Sequence, residues 1–477
     1  MDFREGLTFD DVLLVPKRSP IVSRSQTDLR TRLSRNINLN IPLISANMDT
    51  VTESHMAIAI AREGGIGIIH RFMAIEDHVD EILKVKRSES VVIEQPYTVK
   101  PETTVTELLK LMAEYGVSGL LVEEQGKLAG IITRRDITFE KNNKCKVSDL
   151  MTRDVITAKA GTNIEQAKDI LHKHRIEKLP LVDAKGRIAG LITSKDILKM
   201  DEYPHAAKDK KGRLLVGGAV GVKGDYLERT EALLNAGADT IVVDIAHGHS
   251  ENAINTVKMI KKAFPNCDLI AGNVATGEGA RDLIKAGVDA VKVGVGSGSI
   301  CITRVVTGSG VPQLTAVIDA VKAAKEYDIP VISDGGIRTS GDLTKALAAG
   351  ASSAMIGSMF GGTDESPGKT LVKNGKKYKM YRGMASYMAS LGRKYREEGP
   401  QVVDGDDLND YVPEGVEAMV PYKGSVVEIA RQLAGGLRSG LSYCGARTIA
   451  EMQKNAEFVR ITGAGFIESQ PHDVDVM

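Results

Sequence analysis

The sequence is poor in aromatic residues and has no net charge. It contains no tryptophan and only 4% aromatic residues, and its 62 basic residues cancel 62 acidic ones. A neutral chain gives no support for bulk attraction to nucleic acid or to an anionic membrane. No uninterrupted apolar run approaches the roughly 18 residues of a membrane span, and the opening MDFREGLTFDDVLLVPKRS carries charges where a secretory signal has its apolar core. We therefore expect a cytoplasmic protein with neither membrane nor nucleic-acid partners.

Cysteine is also scarce. The four cysteines, Cys145, Cys267, Cys301 and Cys444, lie far apart and form neither a CxxC pair nor a zinc-like spacing. Such usage argues against a disulfide framework and fits free thiols in a reducing compartment. With 42% hydrophobic and 26% charged residues, the composition is that of a soluble globular protein, and 477 residues exceed what one core usually supports.

Short apolar runs alternate with amphipathic stretches, the pattern of βα units around a parallel sheet. Eight such runs are Ile41–Asn47, Gly65–His70, Leu214–Val220, Thr240–Ala246, Asp268–Val274, Ala290–Gly296, Pro330–Gly336 and Ser353–Met359. Their continuous apolar character indicates strands buried on both faces. Eight units predict an α/β fold, a (β/α)8 TIM barrel with functional residues at the carboxyl ends of its strands. A doubly wound open sheet is the alternative, but it has no reason to stop at eight strands.

Well over a hundred residues separate the second and third runs, too many for one loop. They hold an internal repeat, VSGLLVEEQGKLAGIITRRDI and IEKLPLVDAKGRIAGLITSKDI, in which Gly130 and Gly190, like Asp136 and Asp196, are sixty positions apart. Each copy predicts two strands and a helix that begins at the Asp, within a small βαββα module. The pair resembles a tandem of CBS repeats (a Bateman module) inserted into one barrel loop. Two structural hairpins without a ligand are the alternative.

The predicted organisation is a catalytic barrel formed by residues 1–91 and 204–477, interrupted by one repeat at 92–148 and a second at 149–203. Asp136 and Asp196 open equivalent predicted helices, where a carboxylate can accept ribose hydroxyls. Thr133 and Thr193 lie nearby for phosphate or ribose. We expect purine nucleotides to bind these repeats and to alter assembly or activity.

The segment Gly294–Arg304, GVGSGSICITR, follows the sixth predicted strand. Its glycines let the backbone approach a ligand and form concavities that accept anions, and Ser299 adds a hydroxyl suited to phosphate. Cys301 then lies in a loop at the functional end of the barrel, where a thiolate can act as a nucleophile. A lone cysteine is more often a small core residue, but its position after a glycine-rich loop favours the nucleophile.

Two further loops suit a phosphate. Asp334–Gly336 ends the seventh run, and Gly357 and Ser358 end the eighth. The loops after strands seven and eight of a TIM barrel commonly bind phosphate through backbone N–H groups. The Asp334 carboxylate can accept hydrogen bonds from two vicinal ribose hydroxyls. The residues alone therefore predict a phosphorylated nucleoside or sugar beside a nucleophilic cysteine.

Long, specific motifs cover nearly the whole chain. They are LTFDDVLLVP, SANMDTVTE, VVDIAHGHS, AGNVAT, GVGSGSICITR, SDGGIR, IGSMF, YRGMAS, VPEGVEAMVPYKG, GGLRSGLSYCGA and AEFVRIT. In these motifs the sequence resembles the inosine-5'-monophosphate dehydrogenases of the IMP dehydrogenase / GMP reductase family. The resemblance implies an NAD-dependent enzyme of guanine nucleotide biosynthesis. Cys301 would attack C2 of IMP while hydride leaves to NAD, and water would hydrolyse the covalent thioimidate to XMP.

The matching motifs also imply roles for individual residues. Those that would hold the phosphate are Ser299, Gly336, Gly357, Ser358 and Tyr381, with Asp334 on the ribose. Those around the base would be Met48, Met384, Ala385 and Glu414. Asp244 and Asn273, at the ends of strands four and five, would meet the NAD ribose and carboxamide beside Gly294 and Gly296.

The resemblance further implies a K⁺ site and an oligomer. Carbonyl ligands would come from Gly296, Gly298 and Cys301, with Glu468, Ser469 and Gln470 from a neighbouring subunit. A site completed across an interface implies a homotetramer, with an octamer as the larger assembly, whereas a frayed terminus is the alternative for any chain end. His247 and His249 have no acidic or thiol partner at a ligand spacing, so we assign no metal to them.

One family feature is missing. The flap of these enzymes carries an adjacent Arg-Tyr pair whose arginine activates water, and no such dipeptide occurs in the flap expected near 385–413. Arg393 and Arg396 are the nearest candidates, although a solvent-exposed basic turn is the simpler interpretation. Thr303 and Glu414 are an alternative pair that can activate water through an ionised carboxylate.

Two other functions remain open. GMP reductases share the barrel and the cysteine, use NADPH to convert GMP into IMP and ammonia, and need no water-activating arginine. Their flap has a Glu where the MASYMA of this chain has Tyr387. A nucleotide-sensing scaffold without turnover is the non-enzymatic alternative, supported only by the missing Arg-Tyr pair.

Overall fold

A computed structural model describes residues 3–89, 92–93, 96–140, 142, 144–389, 412–471 and 474, without the side chains of residues 196 and 199–201. Arg393 and Arg396 therefore lie outside the described residues. The chain divides into two compact units. The barrel unit comprises Met1–Ser88, His205–Asp209 and Leu214–Met477, and the insert unit comprises Glu89–Pro204 and Lys210–Arg213. Within the described part, no helix combines the length and the apolar character needed to cross a membrane.

The N-terminal part of the barrel unit contains five short strands and two helices. They are β1 (Val12–Leu14), β2 (Thr31–Arg32), β3 (Asn38–Leu39), β4 (Leu43–Ser45), α1 (Ser54–Arg62), β5 (Ile66–Ile69) and α2 (Ile75–Ser88). Helix α2 buries His78, Ile82, Val85 and Lys86, and the first three, spaced four and three residues apart, form one stripe along the helix. This stripe explains why a strongly charged segment forms a helix on the outside of the barrel.

The insert unit contains two copies of one arrangement. Its elements are β6 (Thr98–Val99), α3 (Val105–Glu114), β7 (Gly119–Glu124), β8 (Lys127–Thr133), α4 (Arg134–Ile137), α5 (Val147–Leu150), β9 (Ala158–Lys159), α6 (Ile164–His174), β10 (Lys178–Val182), β11 (Ile188–Thr193) and α7 (Ser194–Glu202). In the sheets β6-β7-β8 and β9-β10-β11, the first two strands are parallel and the last two are antiparallel. Each copy has its own buried apolar cluster.

In each copy, the helix that follows the last strand begins earlier than predicted. Helix α4 begins at Arg134 and α7 at Ser194, two residues before the aspartates that the sequence placed at the helix start. In the first copy Thr133 is the N-cap, and Asp136 accepts hydrogen bonds from its N–H and hydroxyl at 2.7 Å each. The aspartate is therefore the third residue of a capping box rather than the cap itself.

The rest of the barrel repeats strand and helix. Its elements are β12 (Val216–Val220), α8 (Tyr226–Asn235), β13 (Thr240–Asp244), α9 (Glu251–Ala263), β14 (Leu269–Val274), α10 (Gly277–Ala286), β15 (Ala290–Val293), α11 (Thr303–Thr307), α12 (Gln313–Lys325), β16 (Val331–Asp334), α13 (Ser340–Ala348) and β17 (Ser353–Ile356). Helix α10 ends at Ala286 and is capped by Gly287, whose φ of +114° is the left-handed conformation that favours glycine at a helix end.

The strands β12, β13, β14, β15, β16, β17, β4 and β5 form a closed parallel barrel in that order. Each of them lies within one of the eight predicted runs, so the predicted TIM barrel is confirmed and the open sheet is wrong. Ile44, Val242, Ile270 and Ile332, from four different strands, belong to one buried apolar cluster. Because all eight strands are parallel, their carboxyl ends meet at one end of the barrel.

The C-terminal part adds a small sheet and a closing layer. Its elements are β18 (Thr370–Lys373), β19 (Lys376–Arg382), β20 (Glu417–Pro421), α14 (Val426–Tyr443), α15 (Ile449–Asn455), β21 (Phe458–Arg460) and α16 (Gly463–Glu468). Strands β18, β19 and β20 form an antiparallel sheet, and β21 pairs with β1. Because β19 pairs with β20, the segment that precedes residues 390–411 lies beside the segment that follows them.

Candidate active site

A cavity of about 390 Å³ opens at the carboxyl ends of the barrel strands. Residues at the ends of seven of the eight strands line it, together with the segments that flank β19 and β20. The predicted site residues among its lining are Met48, Asp244, Asn273, Gly294, Gly296, Gly298, Ser299, Cys301, Thr303, Asp334, Gly336, Gly357, Ser358, Tyr381, Met384, Ala385 and Glu414. Residues that are far apart in the sequence are thus brought to one cavity.

The loop between β15 and α11 carries Cys301. It begins at Gly294, where φ is +152° and where an added Cβ would lie 1.9 Å from the Asp334 carbonyl oxygen, so no larger residue fits. The Cys301 N–H donates to the Gly298 carbonyl at 3.1 Å and closes a tight turn. The Cys301 side chain is partly exposed and lines the cavity. The loop therefore presents the thiol to whatever occupies the cavity.

A hydroxyl and a carboxylate follow the thiol in a chain of hydrogen bonds. Cys301 Sγ lies 3.2 Å from Thr303 Oγ1, which donates to Glu414 Oε2 at 2.8 Å. Glu414 is 111 residues further along the chain, and its carbonyl accepts a 2.9 Å hydrogen bond from the Ile302 N–H. This backbone contact fixes the carboxylate beside Thr303. The arrangement can carry a proton from the cavity to a carboxylate.

The opposite side of the cavity contains a buried phenol. Tyr381 is 3% exposed, and burial raises the pKa of its hydroxyl to about 12, although a hydrogen bond with Ser299 acts to lower it. A Cβ added to Gly357 would lie 2.8 Å from the Tyr381 hydroxyl oxygen. The phenol therefore stays protonated at neutral pH and can donate to an anion in the glycine-lined part of the cavity.

A buried lysine that the sequence analysis missed joins the two predicted ribose ligands. Lys292 Nζ donates to Asp244 Oδ1 and to Asp334 Oδ2, at 2.8 Å each, and also to Asn273 Oδ1. Burial acts to lower the pKa of Lys292, but the two carboxylates outweigh it and hold the pKa above its usual value. The lysine within the apolar run AVKVG was the available signal, since a charge on a fully buried strand needs a partner.

Two other residues missed from the sequence support the site. Gln313 is buried and donates to the carbonyls of Val293 and Asp334, at 2.9 and 3.3 Å, which fastens β15 to β16. Arg382, at the end of β19, donates through Nε to Asp49 Oδ2 at 2.8 Å and so anchors the segment that leads to Met384. Neither residue had a motif or a spacing that could have indicated its partner.

Some predicted residues lie elsewhere. Glu468, Ser469 and Gln470, at and after the end of α16, are not among the residues that line the described cavity. Thr133, Asp136 and Thr193 belong to the insert unit, and the side chain of Asp196 lies outside the described residues.

The histidine pair shows a pairing without a metal cluster. His249 Nε2 lies 2.9 Å from Asp282 Oδ2. Among the described residues, no three His, Cys, Asp or Glu side chains gather as they would around a metal ion.

Comparison with known proteins gives one family. A family model described as "IMP dehydrogenase / GMP reductase domain" matches residues 6–472. The inosine-5'-monophosphate dehydrogenase of Nitrosopumilus maritimus is 68% identical over 478 residues and covers 100% of both chains. That of Aquifex aeolicus is 54% identical over 99% of this chain and 96% of its own.

Solved structures give the same fold. A variant of Trypanosoma brucei GMP reductase in complex with guanosine 5'-monophosphate has a TM-score of 0.93 and 46% identity, over 99% of both chains. The same reductase with guanosine 5'-triphosphate has a TM-score of 0.82 and 42% identity, over 97% of this chain and 99% of its own. With its barrel, its cysteine loop and these full-length relatives, the chain belongs to the IMP dehydrogenase / GMP reductase family of enzymes.

Proposed function

We propose that this enzyme is an inosine-5'-monophosphate dehydrogenase, which converts IMP to XMP with reduction of NAD. The observation that carries the proposal is the hydrogen-bonded series Cys301, Thr303 and Glu414 in a cavity lined by phosphate-type loops. The full-length relative at 68% identity supports the same reaction, since it bears that name.

The substrate IMP fits the chemistry of the lining. Ser299, Gly336, Gly357, Ser358 and Tyr381 bind the phosphate, because the protonated phenol, the hydroxyls and the loop N–H groups are all donors. The base lies among Met48, Met384, Ala385 and Glu414. Asp334 accepts the ribose hydroxyls through Oδ1, because its Oδ2 is already taken by Lys292 and Asn273.

The reaction has two steps. In the first, the Cys301 thiolate forms a bond to C2 of the purine, and the C2 hydrogen leaves with its electron pair as hydride. In the second, water attacks C2 of the thioimidate, the thiolate leaves, and XMP is released with one proton. Dividing the substitution in this way lowers each barrier, since a thiolate is both a strong nucleophile and a good leaving group.

Thr303 and Glu414 serve the second step. Thr303 Oγ1 lies between the thiol and the carboxylate, at 3.2 Å from Cys301 Sγ and 2.8 Å from Glu414 Oε2. A proton taken from water by this pair ends on Glu414. The pair thus fills the role of the missing Arg-Tyr dipeptide, while Arg393 and Arg396 of the flap are the competing bases.

NAD, which is the hydride acceptor, would bind beside IMP. Asp244 and Asn273 lie at the ends of neighbouring strands β13 and β14, and both line the cavity with Gly294 and Gly296. Their carboxylate and amide fit a ribose and a carboxamide. The glycines leave room for a flat ring to stack on the loop backbone.

A K⁺ ion would be bound by the cysteine loop. The carbonyls of Gly296, Gly298 and Cys301 are the oxygen ligands that K⁺ takes. The hydrogen bond from the Cys301 N–H to the Gly298 carbonyl holds two of these residues in one turn. Glu468, Ser469 and Gln470 of a second copy complete the site, so the active form is a homotetramer or an octamer.

The insert unit is the regulatory part of the molecule. Its two repeats, residues 92–148 and 149–203, bind purine nucleotides and resemble CBS repeats. Asp136 Oδ2 is occupied by Thr133, which leaves Oδ1 for a ribose hydroxyl. Thr193 and Asp196 hold the equivalent positions in the second repeat.

GMP reductase is the second candidate function. Solved GMP reductases at 42–46% identity cover nearly the full chain, and the expected flap contains no Arg-Tyr dipeptide. Incubation of the protein with IMP and NAD, followed by detection of NADH and XMP, tests the dehydrogenase. Consumption of NADPH with GMP, without XMP formation from IMP, would show the reductase instead.

A further inference from the structure

Lys292 contacts both carboxylates that the proposed function assigns to different ligands. Its ammonium lies 2.8 Å from Asp334 Oδ2, on the IMP side, and 2.8 Å from Asp244 Oδ1, on the NAD side. The side chain is 2% exposed and belongs to the wall of the cavity, together with both carboxylates. On Asp334 the ammonium uses Oδ2 and leaves Oδ1 for a ribose hydroxyl, whereas Asp244 also has a hydrogen bond with Asn47.

We propose that Lys292 is a positioning residue that couples the nucleotide and dinucleotide sites by holding Asp334 and Asp244 in place at once. The inference rests on the proposed function, which assigns the two riboses to these carboxylates. Asn273 completes the bridge, because it donates to Asp334 Oδ2 at 3.0 Å and accepts from Lys292. A shift of either carboxylate on ligand binding is therefore transmitted to the other through one ammonium.

The charged groups around Asp244 determine whether its carboxylate is ionised. The groups that face Asp244 are Lys292 from β15, Asp334 from β16, Arg71 from the segment after β5, and the polar Asn47. Burial acts to raise the pKa of Asp244, but Lys292 outweighs it and holds this pKa below its usual value. Asp244 is therefore ionised at neutral and mildly acidic pH. Without Lys292 the largest influence that lowers this pKa is lost, and only Arg71 and Asn47 oppose burial, so the pKa of Asp244 rises.

A matched control variant is available at the other end of β13, where a second buried lysine bridges two carboxylates. Lys86 is also buried, and its ammonium bridges Asp239 Oδ2 at 2.6 Å and Asp209 Oδ2 at 3.1 Å. Asp239 precedes β13, whereas Asp244 ends it. Lys86→Met thus removes the same kind of buried bridge far from the cavity. Its effect measures the purely structural cost of losing such a lysine.

The test compares Lys292→Met, Lys292→Arg and Lys86→Met with the wild-type protein between about pH 8.5 and pH 5.5. We expect the KM for NAD of Lys292→Met to rise by about tenfold or more as the pH falls, because Asp244 takes up a proton. The KM of the wild type and of Lys86→Met should stay level over this range. Lys292→Arg should restore most of the loss, since it keeps the charge.

Binding calorimetry with IMP measures the effect of Lys292 on the other carboxylate, Asp334. Lys292→Met should bind IMP about tenfold more weakly than the wild type. In a Cys301→Ser background, which cannot turn the substrates over, Lys292→Met should abolish the mutual influence of IMP and NAD on affinity. If Lys292→Met does not fold, Lys292→Met/Asp244→Asn keeps the net buried charge of the bridge at −1. It should bind IMP about tenfold more weakly than Asp244→Asn alone, because Asp334 has lost its ammonium.

Two results would overturn the proposal. In the first, Lys292→Met loses thermal stability as Lys86→Met does, while its affinities for IMP and NAD do not change with pH. In the second, the double variant binds IMP as well as Asp244→Asn does. GMP is titrated beside IMP, since both carry the same ribose. A wild-type protein that makes no NADH from IMP would refute the proposed function, whereas the GMP affinities would still report on Lys292.

Discussion

At the scale of single residues, the four thiols differ in what surrounds them. Burial raises the pKa of Cys267 to about 12 and also raises that of Cys444. The pKa of Cys145 is raised as well, by desolvation and by the neighbouring Asp149 carboxylate. Cys145 and Cys301 are both partly exposed, but only Cys301 lines the cavity, where it lies beside Thr303. Position in the cavity therefore distinguishes Cys301 from the other three thiols.

The first prediction is selective labelling. An electrophilic IMP analogue should modify Cys301 and spare the other three cysteines, and IMP should protect against it. Cys301→Ser should lower kcat by at least about 10⁴-fold while IMP binding changes little, because the phosphate loops bind independently of the thiol. Peptide mass mapping and calorimetry measure both effects. Modification of Cys267 or Cys444 in the folded protein would contradict the assignment.

At the scale of elements, a short backbone pairing joins the cysteine loop to the segment that leads into β20. The Ile302 N–H donates to the Glu414 carbonyl at 2.9 Å, and the Val416 N–H donates to the Ile300 carbonyl at 3.0 Å. These bonds fix the carboxylate beside Thr303. The Thr303–Glu414 pair is therefore formed within the described residues, whereas Arg393 and Arg396 lie outside them.

The second prediction separates the two bases. If Thr303 and Glu414 activate water, Glu414→Gln should give a rapid burst of NADH and then turnover slowed by about 10²- to 10⁴-fold, because an amide cannot take the proton. Stopped-flow absorbance measures both phases. Glu417→Gln is the control, since its carboxylate accepts from the Met388 N–H instead. A burst from Arg393→Ala or Arg396→Ala, with none from Glu414→Gln, would assign the step to the flap.

At the scale of the whole molecule, the two segments of the barrel unit that flank the insertion lie close together. Lys86, near the end of α2, lies 3.1 Å from Asp209 on the returning chain. The two units also have separate apolar clusters. A barrel whose core does not depend on the insert, and whose open ends lie close together, can be closed by a short linker at little entropic cost.

The third prediction is that the barrel works without the insert. Replacement of residues 89–204 by a short Gly-Ser linker should leave kcat within about threefold of the full chain and remove any response to purine nucleotides. Steady-state assays with and without added nucleotide check this, with the melting transition as the control for folding. A folded but inactive barrel would show that the insert takes part in catalysis.

The sequence predicted the barrel because each strand is a continuous apolar run with polar residues at its carboxyl end, and this pattern is local. Asp244, Asn273 and Asp334 could be found for that reason. The lysine in the apolar run AVKVG indicated a buried charge, but its carboxylate partners could not be predicted, since they lie 48 and 42 residues away and nothing local indicates them. The start of α4 was misplaced because an aspartate is itself a common N-cap residue. Asp136 is the third residue of the helix, and Thr133 is the N-cap.

The most direct test of the central claim is the mass of the protein during turnover. The chain is mixed with IMP and NAD, quenched in acid within milliseconds, and analysed as an intact protein and as peptides. We expect an adduct on Cys301 with the mass of IMP less two hydrogens, formed with NADH and lost as XMP appears. Turnover of IMP to XMP without an adduct on Cys301, or an adduct on another cysteine, would contradict it.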